Sequence, residues 1–306
     1  MKSAVERVGV VAIGRNEGER LRRCLTSAAR ATRRLVYVDS GSRDDSVAVA
    51  RGLGAEVVIL DRAIPFTAAR ARNAGFERLT ALHPEIELCQ FVDGDCELAA
   101  TWLPAALAHL AQHPQAVVVC GRRRERFPQA SVYNHLCDLE WDTPVGKTHS
   151  SGGDALVRAA AFREVGGFCP DLIAGEEPEL CFRLRQWGWE IWRIDAEMTL
   201  HDAAMTQFHQ WWKRNVRSGH VHAESLSRRG RSPERTGRKQ VLSNLFWSMP
   251  AAWPLWPLLW WRVFRRRRDV AYATAMVLGK LPHLQGQVQF WMGQLRRRRP
   301  TLIEYK

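Results

Sequence analysis

The strongest constraint in this chain is a repeat: short apolar runs, each followed by a helical pattern, through the first 120 residues. Val8–Ile13 reads as a buried strand, and residues 17–30 as a helix with Leu21, Cys24, Leu25 and Ala28 on one face. Leu35–Val38 is the next strand. Ser42 and Asp45 predict a capping box for a helix carrying Val47, Ala50 and Leu53. Further strands are predicted at Val57–Leu60, Leu88–Val92 and Val117–Cys120, with helices over 67–82 and 101–112 between them. The second of these helices carries Trp102, Leu103, Ala106, Leu107 and Leu110. Such alternation implies an α/β fold, a mainly parallel sheet with helices on both faces. Residues 121–155 read as an excursion from the sheet, 176–187 as a helix and Glu190–Ile194 as a short strand.

Ligands of such sheets sit at the carboxyl ends of the strands. Arg15, Asn16 and Glu17 follow the first strand, Asp39 the second, and Asp93 and Asp95 the strand at Leu88–Val92. Two carboxylates flanking Gly94 offer hard oxygen ligands that suit Mg²⁺ or Mn²⁺ bridging to phosphates. The same Asp-Gly-Asp is also ordinary turn chemistry. Asp39 can accept hydrogen bonds from a ribose or base edge, or only cap the next helix. Arg70, Arg72 and Asn73 can meet a diphosphate, or form plain helix surface. Glu176, Glu177 and Glu179 follow the Gly-rich SSGGDAL, and clustered carboxylates raise one another's pKa, which suits a general base. Their alternative is an acidic first helical turn with Glu179 and Arg183 as an i,i+4 pair. His201 is a candidate metal ligand or a structural histidine. His209, His220 and His222 show no HExxH-type spacing, and the absence of GxGxxG and GxxxxGK[ST] argues against dehydrogenase and P-loop chemistry.

Charge is unevenly spread. Residues 201–306 hold 20 Lys/Arg against 5 Asp/Glu, whereas residues 1–200 hold 25 against 27, so the basic excess lies in the last third. That asymmetry calls for an anionic partner, nucleic acid or an acidic membrane surface. Eight of the 13 Trp lie in the same segment, within largely apolar sequence, which favours the membrane; no nucleic acid is expected. Leu245–Phe264 is long enough to span a bilayer, but Pro250, Pro254, Pro257 and Arg262 interrupt it. A kinked, interfacial or re-entrant segment anchored by Trp and Arg265–Arg268 is expected, followed by the apolar Val270–Leu281 and a second basic run, Arg296–Arg299. A solvated basic tail behind a core helix is the plainer alternative. Basic residues beside apolar segments mark the cytoplasmic side, so the expected location is the cytoplasmic face of the inner membrane, peripheral or re-entrant. The N-terminal apolar run is too short for a signal peptide. Seven irregularly spaced Cys predict reduced, mostly buried thiols.

The ordered segments VVAIGRNE, VDSGSRDDS, AARARNAG, FVDGDCEL, SSGGDALVRAAAFREVGGF and GEEPELCFRLRQWGW resemble glycosyltransferase family 2 over about residues 8–220. The resemblance implies the GT-A fold, a Rossmann-like domain for a nucleotide-sugar donor, and an inverting transfer. It implies that Ile13, Arg15, Asn16, Glu17 and Asp39 hold the nucleoside, and that Arg72 and Asn73 lie near the diphosphate. Asp93 and Asp95 become the DxD pair, Asp95 in direct metal contact, with His201 completing the metal site. Gly152, Gly153 and Asp154 line the donor sugar and the acceptor site. Glu177 stands where the family usually has the Asp of an ED motif, the catalytic base, with its neighbour Glu176 as the alternative. Relatives resembling cellulose synthase carry QxxRW; here Gln207–Trp211 reads QFHQW, which favours transfer of a single sugar over processive synthesis. The C-terminal tail, ending in LIEYK, resembles members that act beside membranes on lipid-linked or cell-envelope acceptors. The expected layout is a GT-A catalytic domain over 1–225, a basic linker over 226–240, and a helical membrane-associated tail over 241–306. Two other classes fit part of the pattern: a nucleotidyltransferase of similar fold, and a basic membrane- or nucleic-acid-binding module without catalysis.

Overall fold

The computed structural model describes residues 4–234, 236–297 and 303; Arg298, Arg299 and most of the closing LIEYK lie outside the described residues. Contacts divide the chain into two compact units, Met1–Arg126 with Glu140–Ala203, and Phe127–Leu139 with Ala204–Lys306.

The first unit is built on a nine-stranded sheet. In chain order its elements are β1 (Val8–Gly14), α1 (Glu19–Ala31), β2 (Leu35–Asp39), α2 (Ser46–Gly52), β3 (Glu56–Ile59), α3 (Ala68–Leu82), β4 (Leu88–Asp93), β5 (Cys96–Leu98), α4 (Trp102–Gln112) and β6 (Ala116–Glu125). After α5 (Val132–Trp141), which begins in the second unit, come β7 (Gly146–Lys147), β8 (Ala155–Arg158), α6 (Ala159–Glu164), α7 (Glu176–Gln186) and β9 (Glu190–His201). The strand order is β3-β2-β1-β4-β8-β6-β9-β5, with β7 beside β9. β3, β2, β1 and β4 run parallel, as the βα alternation predicts. Beyond β4 the sheet is mixed: β8 is antiparallel to β4 and β6, and β5 and β7 are antiparallel to β9. β5 and β8 are reached through loops rather than helical crossovers, and a parallel neighbour requires a crossover. The core runs across the sheet, from the apolar content of β1, β2, β4, β6 and β8 to the inner faces of α1, α3, α4 and α7.

Two local expectations are corrected. Ser42 and Asp45 make no capping box: Ser42 Oγ accepts from Asn16 N at 2.9 Å, and Asp44 Oδ1 meets the N–H of Ser46 at 3.1 Å. The strand expected at Glu190–Ile194 runs on to His201. Its polar half hides from an apolar-run reading because charged side chains there pair across the ladder, as Arg124 does with Glu197 at 2.9 Å.

The second unit is helical. α8 (Phe208–Arg229) absorbs part of the expected linker, and α9 (Arg238–Ser248), α10 (Trp256–Arg267), α11 (Val270–Leu278) and α12 (Lys280–Leu295) follow. Gln207 and Gln210 form a reciprocal capping box at the start of α8, so the QFHQW segment is a helix cap with Trp211 buried beneath it. α8 and α12 cross at backbone contact: a Cβ on Gly219 would lie 2.0 Å from His283 O, and one on Gly286 1.9 Å from Val216 O. Burial holds His220 and His222 down at about 4 and His283 at about 3, so all three are neutral packing groups at pH 7. The prolines split Leu245–Phe264 as expected: Pro250 and Pro254 sit in a 3₁₀ turn and Pro257 in the first turn of α10. No helix among the described residues is long and apolar enough to cross a membrane.

Candidate active site

The ends of β1, β2 and β4 bring the first group of candidates together. Gly94 N donates to Ile13 O at 2.7 Å, tying the Asp-Gly-Asp turn to the end of β1. Asn16 adopts a left-handed conformation (φ 56°) and locks onto the neighbouring turn, its Oδ1 accepting from Arg43 N at 2.7 Å. The Arg15 guanidinium lies 5.8 Å from the Phe66 ring centre, and Glu17 pairs with Arg20 at 2.9 Å. Asp39 is buried; it accepts from Tyr37 OH at 3.1 Å and from the N–H groups of Gly41 and Ser42 at 2.9 Å, which fixes the turn after β2.

A charged network runs beneath this rim. Arg72, buried on α3, donates to Asp93 Oδ1 at 2.7 Å and to Glu176 Oε1 at 2.5 Å. Arg123 on β6 reaches Asp93 Oδ2 at 3.4 Å and Asp154 Oδ2 at 2.7 Å. Enclosure disfavours the Asp93 carboxylate, but Arg72 and Arg123 outweigh it and the pKa falls below the ordinary value. Burial likewise works against both guanidinium charges, and the surrounding carboxylates reverse it. Gly153 (φ 103°) closes over the cluster. A Cβ there would lie 3.3 Å from Arg123 Nη2 and 3.7 Å from Asp93 Oδ2, in a conformation only glycine adopts without strain. Gly152 beside it is also left-handed.

β-ladder register assembles the metal candidates. His201 lies opposite Cys96 on β5 and opposite Glu125 on β6. That places His201 Nε2 3.2 Å from Asp95 Oδ2 and Nδ1 3.5 Å from Glu125 Oε2, while the Trp141 ring packs edge-on against the imidazole at 4.6 Å. Ligand atoms of Asp95, Cys96 and His201 lie within 4.8 Å of one another, as do those of Asp93, Cys96 and Asp154. In the absence of a metal, burial, reinforced by Asp154, pushes the Cys96 thiol well up. Carboxylate oxygen, imidazole and this thiol are the donors present, a set able to hold a divalent cation. Asp93 is already engaged by two guanidinium groups, which leaves Asp95 and His201 as the better-placed pair.

Glu176 and Glu177 open α7 and are both buried, yet their partners differ. Glu176 is neutralised by Arg72. Glu177 Oε1 accepts from Ser151 N at 2.5 Å, Ser151 Oγ at 2.8 Å and Cys181 Sγ at 2.9 Å, all neutral donors. Burial, then Glu177 itself, pushes the Cys181 thiol well above its usual range, so it remains a donor.

Two of the expected site residues are engaged within the protein. The Asn73 amide is closed on Phe168, donating to Phe168 O at 2.8 Å and accepting from Phe168 N at 2.9 Å. Asp154 is wholly buried, with Oδ1 on Asp93 N at 3.0 Å and Oδ2 on Thr199 Oγ1 at 2.9 Å. Arg70, too, binds backbone, the carbonyls of Ile64 and Asp61. The residues missed by sequence reasoning are Arg123, Glu125, Ser151, Cys181 and Thr199.

Comparison with known proteins shows the family and the fold. Residues 10–163, half of the chain, match the family described as Glycosyl transferase family 2. Over 225 residues the chain is 28% identical to the pre-mycofactocin glycosyltransferase of Mycobacterium tuberculosis, covering 68% of this chain and 45% of that protein. The chain thus spans less than half the length of that curated relative. A 58-residue stretch, 19% of this chain and 21% of the relative, is 43% identical to an uncharacterized glycosyltransferase of Rickettsia conorii. Among solved structures, a mannosyltransferase of Pyrobaculum calidifontis in complex with GDP-Man and Mn²⁺ superposes with a TM-score of 0.65 at 18% identity, over 93% of this chain and 87% of that one. Residues 1–349 of TarS from S. aureus superpose at 0.53 and 13% identity, over 95% and 92%. These neighbours share the GT-A fold, and with the family match over half its length the chain belongs to glycosyl transferase family 2.

Proposed function

We propose that this protein transfers a single sugar from a nucleoside-diphosphate sugar to an acceptor hydroxyl, with inversion at the anomeric carbon. The observation that carries the reading is that the carboxyl ends of the strands carry the Asp95–His201 pair and the Asp93 carboxylate held by Arg72, and that Glu177, a buried carboxylate, is held among the described residues by neutral donors. Asp95 and His201 would hold the divalent cation, which when bound neutralises charge on the leaving diphosphate. The segment Ile13–Glu17 with Asp39 shapes the nucleoside pocket, and Gly152 and Gly153 let the donor sugar approach the backbone closely. Glu177 takes the proton of the acceptor hydroxyl as that oxygen bonds to the anomeric carbon and the bond to the nucleoside diphosphate breaks. Glu176 is tied to Arg72 in a buried ion pair at 2.5 Å and so serves the network rather than the acceptor. The GDP-Man and Mn²⁺ of the Pyrobaculum neighbour support a sugar-nucleotide donor and a metal. Gln210, serving as a helix cap where processive relatives carry Arg, supports one transfer per encounter. A glycan or lipid-linked acceptor of the cell envelope suits the basic, Trp-rich second unit.

Product analysis with a panel of sugar nucleotides and Mn²⁺ tests the reading. Release of nucleoside diphosphate with the sugar moved to an acceptor or to water is expected. Release of pyrophosphate would mean nucleotidyl transfer instead.

A further inference from the structure

We propose that the 3₁₀ turn at Pro250–Leu255 together with α10 and the exposed side of α9 is a docking face for an anionic lipid bilayer, lying in the headgroup plane without crossing it. The proposal is independent of the chemistry assigned to the first unit. Three observations carry it. First, α10 buries none of its residues: Leu258 is 66% exposed and Trp261 54%, and Trp253 in the preceding turn is 49% exposed. A face this apolar on a folded chain marks a contact surface. Second, residues 238–268 carry seven Lys/Arg and no Asp or Glu, and all seven are exposed. Third, the indoles divide into two kinds. Trp256 and Trp260 satisfy their N–H groups within the protein, on Trp247 O at 2.9 Å and Thr274 Oγ1 at 3.0 Å. Trp253 and Trp261 have no hydrogen-bond partner among the described residues, and they are the two that point their surface outward. An outward indole with an open N–H suits the headgroup layer, where the ring is apolar-solvated and the N–H finds phosphate or ester oxygen.

The same three facts reject the rival occupants. A second copy would bring two acid-free, seven-fold basic faces together, and like charges repel. Nucleic acid matches the charge but offers nothing to Leu258 or Met249 and Leu242, which are exposed beside the indoles. A bilayer takes both: acyl chains receive the aliphatic groups while anionic headgroups meet the arginines, the two-signal mode of peripheral attachment. The prolines keep the element short and lying flat, since no stretch is long and apolar enough to span.

The experiment is flotation of the full-length protein with vesicles of phosphatidylcholine and phosphatidylglycerol, beside vesicles of phosphatidylcholine alone. Flotation with the anionic vesicles at low salt, reduced by high salt, is expected. Arg265→Gln, Arg266→Gln, Arg267→Gln and Arg268→Gln together should weaken binding by about two orders of magnitude or more. Leu258→Ser with Trp261→Ser should remove the portion that resists salt; these side chains are exposed, and an unchanged melting temperature verifies the fold. Failure of the unaltered protein to float at low salt overturns the proposal. So does a salt-sensitive dimer lost in the Leu258→Ser/Trp261→Ser variant without any vesicle effect, which would assign the face to a second copy. Equal loss of single-stranded DNA binding, with vesicles ignored, would assign it to nucleic acid.

Discussion

Glu176 and Glu177 occupy adjacent positions and look alike in sequence, but one faces a guanidinium and the other a hydroxyl, an amide and a thiol. In the proposed mechanism that difference separates support from chemistry. Glu177→Gln keeps size and the Ser151 contact and removes basicity, so donor binding and melting temperature should hold while turnover falls by about two to four orders of magnitude. Glu176→Gln weakens a buried ion pair and should cost about 1.5–3 kcal/mol of stability. Turnover assays paired with thermal unfolding check both; the larger turnover loss in Glu176→Gln would assign the base to the wrong neighbour. Asp93, Asp95 and Arg72 could be singled out in the sequence because they lie in segments that resemble family motifs, and His201 because it follows a short apolar run. Arg123 was not. It sits in an Arg-Arg-Arg-Glu run that reads as plain surface charge, and only strand geometry turns Arg123 toward Asp93 and Asp154 while Arg124 faces out to Glu197. Ser151 and Cys181 were hidden for another reason: they act through Glu177 and carry no motif of their own.

At the level of elements, β9 and the α8–α12 crossing carry information that periodicity could not. β9 is twice as long as its apolar run because its outer half is held by cross-strand ion pairs and by ladders on both sides, and that half delivers Thr199 and His201 to the site. The α8–α12 crossing depends on two glycines that a helix-propensity reading scores only as weak points. It also means that α12 is a packing element of the second unit, so removing residues 241–306 would strip α8 of its partner rather than release a separate tail. Gly219→Ala would drive a methyl group into the His283 carbonyl and should destabilise the protein by about 1–3 kcal/mol or more. Gly293→Ala, on the partner helix α12 but with open space around it, should be neutral or raise stability by about 0.5–1 kcal/mol. Thermal unfolding of the two variants checks this: equal melting temperatures would mean the helices do not meet as closely as the structure has them.

For the whole molecule, the βα alternation of the first 120 residues was enough to read the parallel half of the sheet and the rim that carries the candidate site. The mixed half was not legible, because β5 and β8 are short and reach the sheet through loops, and nothing local in a short apolar run states which strand it will join. The layout that results, with a carboxylate–imidazole pair at one strand register and a neutral-held glutamate on a facing helix, is what makes metal-dependent donor binding the central claim. Isothermal calorimetry of nucleoside diphosphates with and without Mn²⁺ tests it most directly, using the unaltered protein, Asp95→Ala and Glu177→Gln. The account predicts that one nucleoside diphosphate binds only with the metal, that Asp95→Ala abolishes this binding, and that Glu177→Gln retains it. Binding of equal affinity in Asp95→Ala, or binding that persists undiminished when a chelator removes the metal, would contradict it.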